Sequence, residues 1–309
     1  VIVGSVPGLP TLPAALALGR GLRRPVVVEL RDAWPDILAS AADWGSSPGR
    51  AGSRWSRVRR AALSGVRDAI PPVVTRLERE AAAIVTTTDS FARVLRGRGM
   101  GRVVTVRNTA VPRDWALPAV PREQPDEALH VLYLGTVGRA QGLRSAVRAA
   151  ALARAQGTRM VLRIVGEGAD LAPTRCEAEE LGAPVEILPM VPADRVAAHY
   201  AWADSVLVSL QDWPSMELTV PSKLYEVMAT GRHVSVAAAG AAGRIVKASR
   251  SGDVVPPQDP AALARLWQEL AADRDRLVVT GGGPWLEAHA SCSALLDRYE
   301  AVLERTAHA

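Results

Sequence analysis

In VPSKLYEVMATGRHV, residues 220–234, a lysine and a glutamate stand three residues apart at the start of a predicted helix. Lys223 is one of two lysines in the chain, the other being Lys247, and arginine supplies nearly all the remaining positive charge. Pro221 suits the first helical turn, where no amide hydrogen bond is lost. Lys223 then sits near the positive end of the helix dipole, an unfavourable place for a cation unless an anion shares it. Glu226, at i+3, lies on the same face. Two chemistries fit these residues. One is an ordinary surface ion pair. The other is a nucleotide site, with the ammonium on a diphosphate and the carboxylate accepting two hydrogen bonds from a ribose diol, as acidic residues do in dinucleotide-binding sheets.

A second candidate is GTVGRAQGL, residues 135–143. Gly135, Gly138 and Gly142 allow close backbone approach, and Arg139 brings a charge to the entry of the next predicted helix. Free amides, a helix start and an arginine suit a phosphate; a plain turn suits the glycines equally. VGEGAD, residues 165–170, is a similar glycine turn with Gly166 and Gly168. The histidines form no pair at i, i+4, and Cys176 and Cys292 match no metal or redox spacing, so no metal site is expected. The thiols read as reduced.

The elements that must position these residues alternate strand with helix. VIVGS (1–5), PVVVEL (25–30), AIVTTT (83–88) and RVVTVRN (102–108) read as strands, separated by helical stretches that include 54–82. Residues 112–128 carry four prolines and no periodicity, and read as a linker. A second alternation follows. Its strands are expected at 130–138, 160–168, 184–190, 205–210, 233–238 and 252–257, with helices between them, including 221–231. Residues 284–306 read as one terminal helix. The expectation is an α/β chain of two Rossmann-like domains: 1–126 with its linker, then 127–283, with 284–309 crossing back to the first. Ligands in such sheets bind at the carboxyl ends of the strands. A chain that opens directly on a buried strand suggests that earlier elements are missing.

Charge is uneven. Residues 1–126 hold 19 basic and 11 acidic residues, net +8, and the remainder 18 and 21, net −3. Residues 50–79 alone hold eight arginines and two acids. That suits an anionic lipid surface or a phosphorylated acceptor, or a solvated helix face. No recognised nucleic-acid motif accompanies it. Prolines 7, 10 and 13 interrupt the apolar opening before it could span a bilayer. The expected location is cytoplasmic, at most peripheral to the inner membrane face.

With VPSKLYEVMATGRHV, GTVGRAQGL and GRIVKASRSGDVVPPQDPAALA (243–264) in this order, the second half resembles the donor domain of a family 4 glycosyltransferase of GT-B fold. VELRDAWPD, residues 28–36, resembles the bacterial surface-polysaccharide subgroup. The resemblance implies two facing Rossmann-like domains, the first incomplete at its start. It implies a retaining transfer of a sugar from a nucleotide diphosphate, UDP on family frequency, to an acceptor hydroxyl of a glycan, lipid-linked intermediate or natural product. It places Glu226 as the second glutamate of an E-x7-E motif, holding the ribose. Arg139 grips the diphosphate with Lys223 and the loop of Gly135, Thr136 and Gly166. Two positions depart from the pattern. Gln141 replaces a lysine. Leu218 stands where the first glutamate is expected, with Glu217 one residue off, so the amides of Leu218, Thr219 and Val220 take over sugar contacts. Met190 and Val191 would meet the base, and Arg31 and Asp32 the donor sugar or acceptor, with Asp32 as an orienting group. No metal is expected. Two rivals remain: a nucleotide-sugar epimerase, and a catalytically degenerate GT-B protein that binds nucleotide or a partner without turnover. An epimerase would act without an acceptor, and a binder would not turn over.

Overall fold

The computed structural model describes residues 1–6, 8, 10–38, 70–110, 117 and 128–308. Most of the arginine-rich stretch and most of the 112–128 linker lie outside the described residues. The chain divides into two compact units. The first is Val1–Arg107 with Trp213–Thr219 and Ser293–Ala309; the second is Asn108–Asp212 with Val220–Cys292.

Unit 1 holds a parallel sheet of β1 (Ile2–Ser5), β2 (Val26–Leu30), β3 (Ala83–Thr86) and β4 (Val103–Thr105), in that spatial order. The runs VVVEL and AIVT are β-branched, apolar and buried almost throughout, which is what a parallel strand covered on both faces requires. One face packs on α1 (Thr11–Leu22) and α3 (Asp89–Gly97), through Leu12, Leu16, Phe91 and Leu95, and on a helix, α2, described over 70–78. The other face is covered by Val302, Tyr299 and Leu303 of the C-terminal helix.

Unit 2 holds β5 (Leu129–Leu134), β6 (Met160–Val165), β7 (Val185–Leu188), β8 (Ser205–Ser209), β9 (His233–Ala237) and β10 (Gly252–Val255). All are parallel, in the order β10-β9-β8-β5-β6-β7. Helices α4 (Leu143–Ala155), α5 (Leu171–Glu180), α6 (Val196–Trp202), α7 (Ser222–Ala229) and α8 (Gly240–Ser249) connect the strands. Strand order reverses between β5 and β8, which leaves a crevice at their carboxyl ends. An α/β chain of two Rossmann-like domains is the architecture expected from the sequence.

Two helical assignments differ from expectation. Pro260–Ala272 forms α9, unforeseen, with the Asp259 carboxylate accepting from Ala262 N at 2.9 Å and Pro260 in the first turn. It packs on α4 and buries Leu263, Leu266, Trp267 and Leu270; each such side chain stabilises by about 1.5–3 kcal/mol. The expected single terminal helix is two, α10 (Gly282–Ala290) and α11 (Cys292–Ala307), broken at extended Ser291. The last carbonyls of α10 lack helical partners, and Ala290 O accepts instead from Thr109 Oγ1 at 2.6 Å.

Candidate functional site

The reversal of strand order in unit 2 is where the sequence-predicted loops converge. A cavity of about 280 Å³ opens between the ends of β5 and β8. Leu134, Gly135, Thr136 and Gln141 line it from one side, Ser209 and Leu210 from another, and Pro221, Ser222 and Lys223 from the start of α7. Lys223 Nζ lies 3.2 Å from each carboxylate oxygen of Glu226, an i, i+3 pair at the cavity's edge. Pro221 stands at the N-cap of α7 rather than inside it. Leu224 N donates back to Pro221 O at 3.0 Å, and the amides of Ser222 and Lys223 have no intrahelical acceptor.

Glu226 is braced by a residue that sequence reasoning missed. Tyr200, on α6, is fully buried, and its hydroxyl donates to Glu226 Oε1 at 3.0 Å. A buried tyrosine must place its polar tip on a partner, but 26 residues separate the two and no spacing rule links them. We expect Tyr200→Phe to keep the ring packing and weaken nucleotide binding roughly fivefold, the equivalent of one hydrogen bond of about 1 kcal/mol. Calorimetric titration of the variant with UDP reads this directly.

The glycine loop is held by its neighbours. Gly135 N donates to Val165 O at 2.9 Å and Val137 N to Glu167 O at 2.8 Å, while Gln141 Oε1 accepts from Gly138 N at 3.1 Å. The amides left at the start of this turn are those of Arg139 and Ala140. Gly166 presses on the loop: a Cβ there would lie 1.8 Å from Gly135 O, so only glycine fits. Gly168 is pressed likewise on Val137, at 2.3 Å. These two glycines therefore have a packing reason independent of any ligand. Arg139 is exposed. Its charge, after that of Arg144, opposes the rise that burial imposes on the Asp170 pKa. Burial also pushes the Tyr133 phenol well up, and its hydroxyl donates to Thr136 O at 2.6 Å, fixing the loop from beneath.

The remaining predicted residues are distributed as follows. Met190 and Val191 follow β7; Met190 is exposed, and neither lines the cavity. Val220 is buried at the start of the unit 2 segment that leads into α7. Glu217, Leu218 and Thr219 belong to unit 1, where half-buried Leu218 packs against the apolar core. Thr219 N is engaged with Met216 O at 3.2 Å. Arg31 and Asp32 follow β2 in unit 1. Arg31 Nε donates to Glu29 Oε1 at 3.2 Å. Burial lifts the Asp32 pKa above the usual carboxylate range, with Arg31 opposing.

Another arrangement imitates catalytic machinery. Ser205 Oγ lies 2.9 Å from His233 Nδ1, and His233 Nε2 lies 3.1 Å from Asp253 Oδ2. Ser205 and His233 are fully buried and begin their strands, at the end of the sheet opposite the cavity. No substrate reaches that serine, and the three residues pin β8, β9 and β10 together. Among the described residues, no group of three or more His, Cys, Asp or Glu side chains could hold a metal ion. No described helix is long and apolar enough to cross a membrane.

Residues 128–273 match the family described as Glycosyl transferases group 1. Among solved structures, the chain is similar to Anabaena HepE in complex with UDP and glucose. Identity is 15%, TM-score 0.72, over 98% of this chain and 78% of that one. It is similar to sucrose-phosphate synthase from Thermosynechococcus elongatus, at 18% identity and TM-score 0.65, over 94% and 71%. It is also similar to S. aureus TarM in complex with Fondaparinux, alpha-GlcNAc-glycerol and UDP, at 10% identity and TM-score 0.64, over 90% of this chain. The chain spans 50% of the TarM chain. No curated protein matches the sequence. The family match over unit 2 and the shared fold together support a glycosyltransferase of GT-B fold.

Proposed function

We propose that the protein is a retaining glycosyltransferase of family 4. In this reading it moves a sugar from a nucleotide diphosphate, UDP, to a hydroxyl of a glycan, lipid-linked intermediate or natural product. The observation that carries the reading is the cavity at the reversal of strand order, where the 135–141 loop meets Lys223 and its partner Glu226. As the glycosidic bond breaks, the leaving diphosphate gains negative charge while the sugar ring becomes oxocarbenium-like. Donors already aimed at that charge lower the barrier because they need no reorganisation. Lys223, Arg139 and the amides at the two helix starts take this role, without a metal. Glu226 accepts from the ribose diol. The diphosphate assists deprotonation of the acceptor, and Asp32 orients the acceptor. The neighbours found with UDP and glucose, or with UDP and alpha-GlcNAc-glycerol, favour a uridine donor.

The experiment is calorimetric titration of UDP, GDP and dTDP into the wild type and Glu226→Ala. UDP should bind best, and the variant should lose about 150-fold or more, two hydrogen bonds of about 1.5 kcal/mol each to a charged acceptor. Equal affinity in the two proteins would remove the ribose role. A second reading, nucleotide binding without turnover, is favoured by one observation. The Gln141 carboxamide oxygen accepts from Gly138 N, and glutamine brings no positive charge to a position where the family pattern has a lysine. Nucleotide binding with no acceptor-dependent product, across lipid-linked and soluble acceptors, would establish it. The net +8 of residues 1–126 supports peripheral association with an anionic membrane, read by co-sedimentation with anionic against neutral vesicles.

A further inference from the structure

The pairing of β5 with β8 is short: Val131 stands against Ser205 and Leu132 against Val206. The lining of the unit 2 cavity begins at the next residue of each strand, Tyr133 and Leu207. The cavity is therefore the gap left where the two strands part. Continued past the parting, the same register brings Ser209, the last residue of β8, level with Gly135 of the glycine loop. Ser209 is 6% exposed and lines the gap, yet its hydroxyl has no hydrogen-bond partner among the described residues. The oxygen is not sealed in the core, so it faces the gap. Gln141 lines the same gap from the loop. Chemistry fixes its orientation: Gly138 N can only donate, so the carboxamide atom 3.1 Å away is the oxygen. Gln141 Nε2 is left with its N–H donors and no partner among the described residues. On the far side stand Lys223 and the open first-turn amides of Ser222 and Lys223. Lys223 gives the lining its charge, and among the described residues no carboxylate joins it. A half-buried cation and neutral donors aimed into one gap suit an anion.

We propose that Ser209 Oγ, with Gln141 Nε2 beside it, donates to the diphosphate of the nucleotide, opposite Lys223. Glu226, the ribose partner, stands outside the lining, so the part of the ligand beyond the ribose enters the gap. The identity of the ligand rests on the donor-site reading above; the gap and its unpartnered donors do not. Without a ligand the Ser209 hydroxyl holds nothing in place. Its removal costs the empty protein no hydrogen bond and relieves an unpartnered buried polar group. A serine kept for packing would behave in the opposite way.

The test compares wild type, Ser209→Ala and Gln141→Glu by calorimetric titration with UDP, uridine and inorganic diphosphate, and by thermal unfolding without ligand. Ser209→Ala should bind UDP about tenfold more weakly, the loss of one hydrogen bond to a charged group. It should bind uridine as the wild type does and unfold at the wild-type temperature or above. Gln141→Glu keeps an oxygen for Gly138 N and turns the amide donors into a carboxylate. It should lose UDP by about 100-fold, because like charges then face each other, and leave uridine unchanged. Unchanged UDP affinity in Ser209→Ala would overturn the proposal. So would an equal loss for uridine, or a lowered unfolding temperature, either of which would make Ser209 a packing residue. UDP binding that depends on Glu226 but not on Ser209 or Gln141 would leave the donor-site reading standing and this proposal overturned. If the wild type binds no UDP, the donor-site reading fails by itself, and diphosphate decides the rest. Binding of diphosphate that weakens about tenfold in Ser209→Ala keeps the gap as an anion site; equal binding, or none, overturns it.

Discussion

Replacing Lys223 by alanine is expected to lower turnover of a nucleotide-diphosphate sugar by about 10²- to 10³-fold, the cost of removing one pre-organised donor from a developing anion. The effect should fall mainly on kcat. In the ground state the diphosphate also has Arg139 and the helix-start amides. In the transition state its charge increases, and the nearest compact cation matters most. The structure keeps Lys223 ready for this. Its ammonium donates to the two Glu226 oxygens at 3.2 Å each, and among the described residues a third N–H remains for a phosphate oxygen. The pair is half-buried, so Glu226 also limits the lysine's wandering. Lys223→Arg should recover only part of the rate, because a planar fork does not reproduce a point charge at that place. Steady-state kinetics with UDP-sugar donors would check this. A variant that raised KM and left kcat unchanged would make Lys223 a binding group only.

The strands were legible because parallel strands buried on both faces must be runs such as VVVEL and SVLVS, and few other structures use them. The cavity was legible because its parts follow strand ends: the glycines after β5 and, after β8, the Lys223–Glu226 pair of α7. What stayed hidden depends on distant partners. Tyr200 meets Glu226 across 26 residues, and Thr88 meets Leu218 across 130. The 213–219 segment was placed by its order in the chain, whereas its packing is decided by the core that Leu218 packs against. Helix α9 carries its start signal in Asp259 and Pro260, but these follow the turn-like PPQ, and the sequence reading assigned no element there. The glycine loops illustrate the opposite hazard. Gly166 was assigned to a ligand by resemblance, and its closest demand is the carbonyl of Gly135.

Glu78→Gln is expected to stabilise the protein at pH 8 while changing little at pH 4.5. Glu78 is fully buried in unit 1, and neither carboxylate oxygen has a hydrogen-bond partner among the described residues. Asp36 and Arg98 pair with each other beside it. Burial pushes the Glu78 pKa up to about 7; Arg98 opposes this and Asp36 adds to it. The sign follows from proton binding. Between the ordinary glutamate pKa of 4.5 and about 7, the folded protein holds a proton that the unfolded chain has released. Stability therefore falls as pH rises through this window and levels off above it. A displacement of this size is worth about 3 kcal/mol. Glutamine keeps the shape and removes the charge, so it should recover most of that loss at pH 8, although its amide remains an unpartnered buried polar group. Urea unfolding at pH 4.5, 6 and 8 would show wild-type stability declining and the variant nearly flat. Parallel profiles for the two proteins would mean that Glu78 is ionised in the fold, compensated by Arg98, and that the buried carboxyl is a permanent charge rather than a proton held by burial.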